Sequence, residues 1–452
     1  MKHAKLNQSG FNKLERRTVS ALAGVYGLRM FGLFLILPVL SIYAEQLEGA
    51  TPVLMGIALG IYGITQAIFQ IPFGALSDRF GRKPLIILGL SLFVLGSLIA
   101  AFADTITGVI IGRALQGSGA IAAVVLALTS DLTREEQRTK AMAFIGMTIG
   151  LAFMLALIAA PVLSSIIGVP GLFIMTAILA VASMFVVIKV VPSPAPIKNL
   201  EVKAVPATMW AVLKNRSLLQ LDVGIFILHF VLTAMFIAVP IALTEQLQLD
   251  SQFHWRVYLP ALIISIVLMV PLIILSARRG WALRVFMIGV CILLFAQLLL
   301  LRGVHSVQLM TLCLTVFFLG FNLLEAMLPS LISRLAPAAT KGSAMGVYNT
   351  FQFLGVFFGG LIGGILYGQF GVSAVYLSCA LALLLWVVIA YRTEPFKLLD
   401  SMVVRLKEGV NRQDLILIKG VEDAVAVPND GVAYLKVNSH ELDRESLRTL
   451  IS

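Results

Sequence analysis

The sequence predicts an α-helical membrane protein: twelve transmembrane helices in two six-helix halves, followed by a small α+β ferredoxin-like C-terminal domain. Three observations predict it. Of 452 residues, 59% are apolar and 13% charged, with a mean hydropathy of +0.97, where a soluble domain carries about 25% charged residues. Twelve apolar runs are long enough to cross a hydrocarbon core of about 30 Å, which takes about 20 residues each. Beyond the last run the chain turns polar and takes on the short period of strands.

The runs lie at about 19–43, 53–73, 84–102, 106–130, 141–167, 170–191, 218–244, 255–276, 283–302, 306–331, 343–370 and 372–391. The first is longer than a signal-peptide core and a second span follows it, so it reads as an uncleaved helix. The net charge of +11 invites a nucleic-acid reading, but its placement argues against one. With the N-terminus taken as cytoplasmic, Lys and Arg crowd the loops of that side. The opposite side holds only Arg256 and Arg302. That asymmetry is the positive-inside pattern of a multi-pass inner-membrane protein with both termini cytoplasmic. Cys291, Cys313 and Cys379 all lie in apolar spans. They read as packing residues, so neither a disulfide framework nor a metal site is expected, and no cofactor is implied.

Residues 1–17 form a basic cytoplasmic lead that meets the anionic leaflet. Residues 18–191 make the first half. Helix 1 carries Arg29 near its midpoint, where a charge costs several kcal/mol and must face a partner or a cavity; a structural and a cavity-lining role both stay open. In helix 2, Tyr62, Gln66, Phe69 and Phe73 share one face, either as packing or as a cavity wall. Gly74-Ala75-Leu76-Ser77-Asp78-Arg79-Phe80-Gly81-Arg82-Lys83-Pro84 reads as a tight polar hinge, with Gly74 and Gly81 permitting the turn and Pro84 starting helix 3. Arg82 is placed to bridge Asp78 and Asp131, the residue that ends helix 4. As an exposed ion cluster alone this would contribute under about 1 kcal/mol. Helix 4 holds Arg113 and Gln116 in Arg113-Ala114-Leu115-Gln116-Gly117-Ser118-Gly119-Ala120. Helix 5 carries Ile158-Ala159-Ala160-Pro161, whose small residues allow close helix approach.

Residues 192–217 are a Pro-containing linker, with a short amphipathic helix expected from Ala207 to Leu213. The second half, 218–391, repeats the first: Ser77-Asp78-Arg79-Phe80-Gly81 recurs as Ser276-Ala277-Arg278-Arg279-Gly280, with Ala277 in place of Asp78. His229 lies near the middle of helix 7, as a structural donor or a proton carrier. Asn322 and Glu325 share a face of helix 10, and Asn349 and Gln352 a face of helix 11. An intramembrane carboxylate is a coupling-site candidate, with a gate or packing role as the competing reading and with His229 or Asp222 as the next coupling candidate. The inventory of Arg29, Arg113 and His229 against Glu325 leans positive, so anionic or neutral compounds fit at least as well as cationic ones.

G-x-L-x-D-R-x-G-R-K over residues 74–83 resembles the signature loop between helices 2 and 3 of the major facilitator superfamily, and R-x-x-Q-G-x-G-A over 113–120 resembles its helix 4 motif in the drug-efflux branch. The likeness covers roughly residues 18 to 391. It implies transport by alternating access. It also implies that Gly74, Asp78, Arg79, Gly81, Arg82, Lys83 and Asp131, with the N-terminus of helix 11, latch the outward-open state. Arg113 would take part in proton coupling or substrate contact. Two departures stand: helix 5 lacks the family's Gly before Pro161, and helix 1 lacks the acid that several proton-coupled exporters carry.

The tail, 396–452, reads as strand Met402–Leu406, helix Arg412–Ile418, strands Val421–Val427 and Val432–Val437 around Pro428-Asn429-Asp430-Gly431, and helix Asp443–Leu450 capped by Asp443. The order βαββα resembles the YAM domain that closes one subfamily of these transporters. It lacks Cys, so soft-metal binding is not expected. About 50 residues fold alone only marginally, so the tail is expected to lean on the membrane domain or a second copy. The function expected is secondary active, proton-coupled efflux of a small molecule. Sugar or metabolite transport is one alternative, and a non-transporting sensor that signals through the tail is another. No G-x-x-x-x-G-K-[ST] loop or catalytic constellation occurs, so neither ATP drive nor an enzyme is expected.

Overall fold

The computed structural model describes residues 10–193, 210, 212–336, 340–392, 400–407, 410–427, 432–437 and 441–450. Eleven helices among these residues are long and apolar enough to cross a membrane. One of them, Glu135–Lys189, has an apolar stretch of 50 residues. At about 1.5 Å per residue that is more than twice a hydrocarbon core. Gly168 breaks it at φ 69° and ψ 170°, just before Pro170. A Cβ would be strained there. The path therefore crosses twice, as spans 5 and 6, and the described residues hold twelve spans.

Span 1 is Lys13–Ala44. Asn12 caps it in a box with Glu15, each side chain accepting the other's backbone N–H at 2.8 and 2.9 Å. The helix thus begins inside the expected 1–17 lead, and residues 1–9 lie outside the described part. Span 2 is Pro52–Phe80, with Thr51 as its cap and Pro at its first turn. It runs straight through Gly74 and Asp78, which corrects the hinge expected there. Polarity at a membrane edge does not end a helix whose residues favour it, because water can meet the last carbonyls. Only Gly81, at φ 93°, turns the chain, and span 3, Arg82–Ala101, starts before Pro84.

Span 4 is not the single helix expected either. Ile106–Ser118 and Ala122–Asp131 are separate segments joined through Gly119, Ala120 and Ile121. The remaining spans are Arg216–Ile241 (span 7), Trp255–Arg279 (8), Ala282–Leu301 (9), Val307–Leu335 (10), Lys341–Phe370 (11) and Val372–Arg392 (12). Most of the linker lies outside the described residues; of the amphipathic helix expected there, Trp210 and residues 212–214 are helical.

The halves meet chiefly along spans 2 and 11. Backbones touch there because both helices present glycine: Gly56 faces the backbone of Gly360, and a Cβ built on Gly60 would lie 2.7 Å from the Phe357 carbonyl oxygen. These contacts sit toward the face opposite the tail, called the far face below. At the tail-face ends of the same helices, Gly74, Gly342 and Gly346 have open space around them. Between the two regions Gln70 Nε2 of span 2 donates to Thr350 Oγ1 of span 11 at 2.7 Å, so the close backbone contact gives way to a side-chain bridge before the open glycines. Deeper in, Phe153 of span 5 packs on Phe34 at 5.1 Å and reaches Phe321 at 6.0 Å and Phe318 at 6.3 Å across the interface.

The tail folds as β1 Asp400–Arg405, helix Arg412–Ile416, β2 Val421–Val427, β3 Val432–Val437 and helix Arg444–Leu450. The sheet order is β1-β3-β2, with β3 antiparallel to both neighbours. That is a split βαβ arrangement. Ala433, Leu435 and Val437 of β3 enter a core with Leu415, Ala424 and Leu447. Alternation sends Lys436 to the other face of the sheet. There its Nζ donates to the carbonyls of Ser333 at 2.6 Å and Arg334 at 3.1 Å, in the last turn of span 10. The turn expected at 428–431 lies outside the described residues.

Candidate functional site

Polar side chains gather in three places. At the tail face of the first half, Arg82 forms an ion pair with Asp78, one turn back on span 2. Its Nε donates to Asp131 at 3.1 Å and its Nη1 to Ser77 Oγ at 2.6 Å. Lys83 donates to the Val191 carbonyl at 2.8 Å, closing the end of span 6, and Arg79 stacks on Phe80. A second pair beside this cluster has no local signature in sequence. Arg134 grips buried Glu15 with Nε at 2.8 Å and Nη2 at 2.9 Å, across 119 positions of chain. Among the described residues no hydrogen bond or ion pair joins Asp78, Arg82 or Asp131 to the second half, and the Asp78 side chain is 66% exposed.

The second group lies inside the first half. Arg29 is 2% exposed and Arg113 1%. The break in span 4 explains how Arg29 is held, since its Nη2 donates to the Gly119 carbonyl at 2.8 Å and to Gln66 Oε1 at 3.0 Å. Arg113 donates to the Ala58 carbonyl at 3.3 Å and to Gln116 Oε1 at 3.1 Å. Gln116 in turn donates to Ser97 Oγ at 2.7 Å. Tyr62 is the common floor, its ring centre 5.9 Å from the Arg29 guanidinium and 5.4 Å from that of Arg113. Of the face read on span 2, Tyr62, Gln66 and Phe73 are buried, whereas Phe69 is 40% exposed. Phe69 therefore leaves that set.

The third group lies in the second half. His229 Nε2 is 3.8 Å from Glu325 Oε2. Gln352 stands 2.8 Å from the same Nε2, and His229 Nδ1 is 3.3 Å from the Ile225 carbonyl. A Gln352 N–H donated to Nε2 matches a neutral ring with its proton on Nδ1. Asn322 donates to Ser265 Oγ at 3.2 Å, and Asn349 is half-buried on span 11, three residues before Gln352. Two further members lie here: Asp222, a coupling candidate of the sequence behind Glu325, and Tyr348, which was not among the expected residues. Asp222, on the first turns of span 7, is fully buried with neither carboxylate oxygen hydrogen-bonded. Tyr348, next to Asn349 on span 11, is buried with a hydroxyl that has no hydrogen-bond partner. Asp222 sits within two turns of the Asn215 cap, so in sequence it resembles a membrane-edge acid. Among the described residues no group of three His, Cys, Asp or Glu side chains is arranged to hold a metal ion.

The model of the Major Facilitator Superfamily matches residues 22–360 and 221–402. The chain is 41% identical over 443 residues, 97% of each chain, to the inner membrane transport protein YajR of Escherichia coli K12. It is 34% identical over 140 residues, 30% of this chain and 34% of the relative, to the class B tetracycline resistance protein of Escherichia coli. A solved bacterial homologue of the human lysosomal transporter Spinster, inward-facing and occupied, superposes with a TM-score of 0.70 over 84% of this chain and 97% of that one, at 10% identity. That last likeness speaks for the fold alone. With the motifs, the twelve spans and these relatives agreeing over nearly the whole chain, the protein belongs to the Major Facilitator Superfamily and is one of its multi-pass membrane transporters.

Proposed function

We propose that the chain exports a small molecule across a bacterial inner membrane in exchange for protons, by alternating access, with both termini cytoplasmic. Glu325 carries this reading. It is an intramembrane carboxylate on span 10, its Oε2 has no hydrogen-bond partner, and an imidazole stands 3.8 Å away. Such a group is costly in a membrane and finds its use where a proton is carried. His229 and Gln352 form the inner end of the route, with Asn322 and Asn349 on the cavity wall. Tyr348 and Asp222 extend it toward the tail face, which is the cytoplasmic exit in this orientation. The likeness to a tetracycline resistance protein supports efflux as the direction.

The two ends of the cycle follow from the packing. Spans 2 and 11 touch backbone to backbone at the far face and are bridged toward the tail face only by Gln70 and Thr350, beyond which Gly74, Gly342 and Gly346 have open space, an arrangement that suits an inward-open state. In the outward-open state the N-terminus of span 11 would swing onto Asp78. Arg82 would hold that carboxylate against Asp131, while Gly81 keeps the turn short and Arg79 and Lys83 flank it. A helix N-terminus favours a carboxylate by about 0.3–1 kcal/mol, and more when partly buried. A second reading, a sensor that binds ligand without moving it, has one observation in its favour: the contact of Lys436 with the end of span 10, the helix that carries Glu325.

The test is lumenal pH in proteoliposomes containing the full chain, challenged with anionic, neutral and cationic compounds. Substrate-dependent proton movement in the wild type and its loss in Glu325→Gln support the proposal. Movement that survives the substitution removes Glu325 from the coupling path. No movement with any compound favours the sensor.

A further inference from the structure

The two arginines of the first half serve no part of the proton route, and nothing around them balances their charge. Every hydrogen-bond acceptor that reaches Arg29 or Arg113 is neutral: the carbonyls of Gly119, Ala58 and Leu59 and the amide oxygens of Gln66 and Gln116. Among the described residues no carboxylate pairs with either. A buried charge without a counter-charge is expensive, and it persists where an opposite charge arrives during function.

The atoms left over identify what would arrive. Three buried groups in this neighbourhood have no hydrogen-bond partner: Arg29 Nε, Gln66 Nε2 and the Tyr62 hydroxyl. All three can donate a hydrogen bond, and the first two can only donate. They also lie together. Arg29 Nη2 is 3.0 Å from the other end of the Gln66 amide, Tyr62 is one turn before Gln66 on span 2, and its ring lies under the Arg29 guanidinium. Phe93 closes the other side, its ring centre 5.7 Å from that guanidinium. Arg113 adds a second positive charge across the same tyrosine ring. Three free donors and two guanidiniums with no acid form a receptor for a head group made only of acceptors.

We propose that Arg29, Tyr62 and Gln66, with Arg113 behind the ring, bind the anionic head of a small molecule, a carboxylate above all, and that the cargo of this transporter is an organic anion. The assignment rests on the transport reading only in calling that anion cargo. The second half then supplies the protonatable carboxylates and the first half the fixed positive charge, so cargo and proton are held by opposite halves of the molecule. A free inorganic anion would satisfy the same donors.

The experiment is thermal unfolding of the purified full chain in detergent, titrated with sodium benzoate, benzamide or sodium chloride. Benzoate is expected to raise the unfolding temperature, and benzamide, which keeps the ring and loses the charge, to leave it unchanged. Tyr62→Phe and Gln66→Leu should each weaken benzoate binding about tenfold, the scale of one hydrogen bond to a charged group. Without ligand Tyr62→Phe should unfold no earlier than wild type, because it removes a buried donor that has no acceptor, whereas Gln66→Leu also takes from Arg29 Nη2 its acceptor and should unfold earlier. A shift with chloride but none with benzoate, lost in the same variants, keeps the site and overturns the organic cargo. No shift with either anion, or a shift that both variants leave intact, overturns the site. No gradient is present, so a chain that bound benzoate but moved nothing would contradict the transport reading and leave the anion site standing.

Discussion

Glu45 lies where the halves close at the far face. Its carboxylate accepts a hydrogen bond from the Tyr367 hydroxyl of span 11 at 3.5 Å. Burial first, and the neighbouring Glu245 second, push its pKa above the ordinary carboxylate value, against the pull of that hydrogen bond. A carboxylate with a raised pKa in the closed state holds its proton more tightly there than when the face opens to water. Closure is therefore favoured as pH falls through the raised value and opposed as pH rises above it. Glu45→Gln should flatten this dependence, read as the labelling rate of a cysteine placed at Thr51 in a chain without other cysteines. A variant with the same pH profile as its parent would remove Glu45 from the gate. Sequence reading picks out Arg29, Arg113, His229 and Glu325 because each interrupts an apolar run. It passes over Glu15 and Tyr348 and ranks Asp222 only behind Glu325, since their meaning comes from partners far along the chain or from burial that only packing creates.

Helices were legible in the sequence wherever burial and lipid contact make them uniformly apolar, and the tail hairpin because Val421–Val427 and Val432–Val437 alternate. Their ends were not. Span 2 outlasts its apolar run by two turns through the polar motif, and span 4 breaks at Gly119 inside an apolar stretch with no proline. Both follow from tertiary contacts, the first from the Arg82 cluster and the second from the carbonyl that Arg29 claims. At this scale the glycine contact of spans 2 and 11 makes a prediction. Gly60→Val puts a side chain against the Phe357 backbone. Overpacking costs about 1–3 kcal/mol, and the contact exists only with the far face closed. The closed population should fall about tenfold, measured as the distance between spin labels on the far-face ends of the two spans. An unchanged distance distribution would mean that closure does not depend on this seam. The tail makes a second prediction. Lys436→Met keeps the aliphatic stem and removes both hydrogen bonds to span 10, so protease should clip the tail about tenfold faster. An unchanged rate would show that other contacts hold it.

At the scale of the whole molecule, the two halves share a fold and differ in charge. The first carries Arg29, Arg113, Asp78 and Asp131, and the second carries Asp222, His229 and Glu325 with Ala277 at the position that repeats Asp78. Asp78→Asn should move the resting population toward opening at the tail face while leaving membrane insertion intact; unchanged cysteine labelling on both faces would end the latch proposal. In the proposed cycle Glu325 is the point where proton and cargo movements are tied. The most direct measurement separates exchange from accumulation in proteoliposomes, using a compound that moves protons through the wild type. Glu325→Gln should still exchange labelled for unlabelled compound at equal concentrations, and should fail to concentrate it when a pH gradient is imposed. Gradient-driven accumulation at the wild-type level in Glu325→Gln would contradict the account.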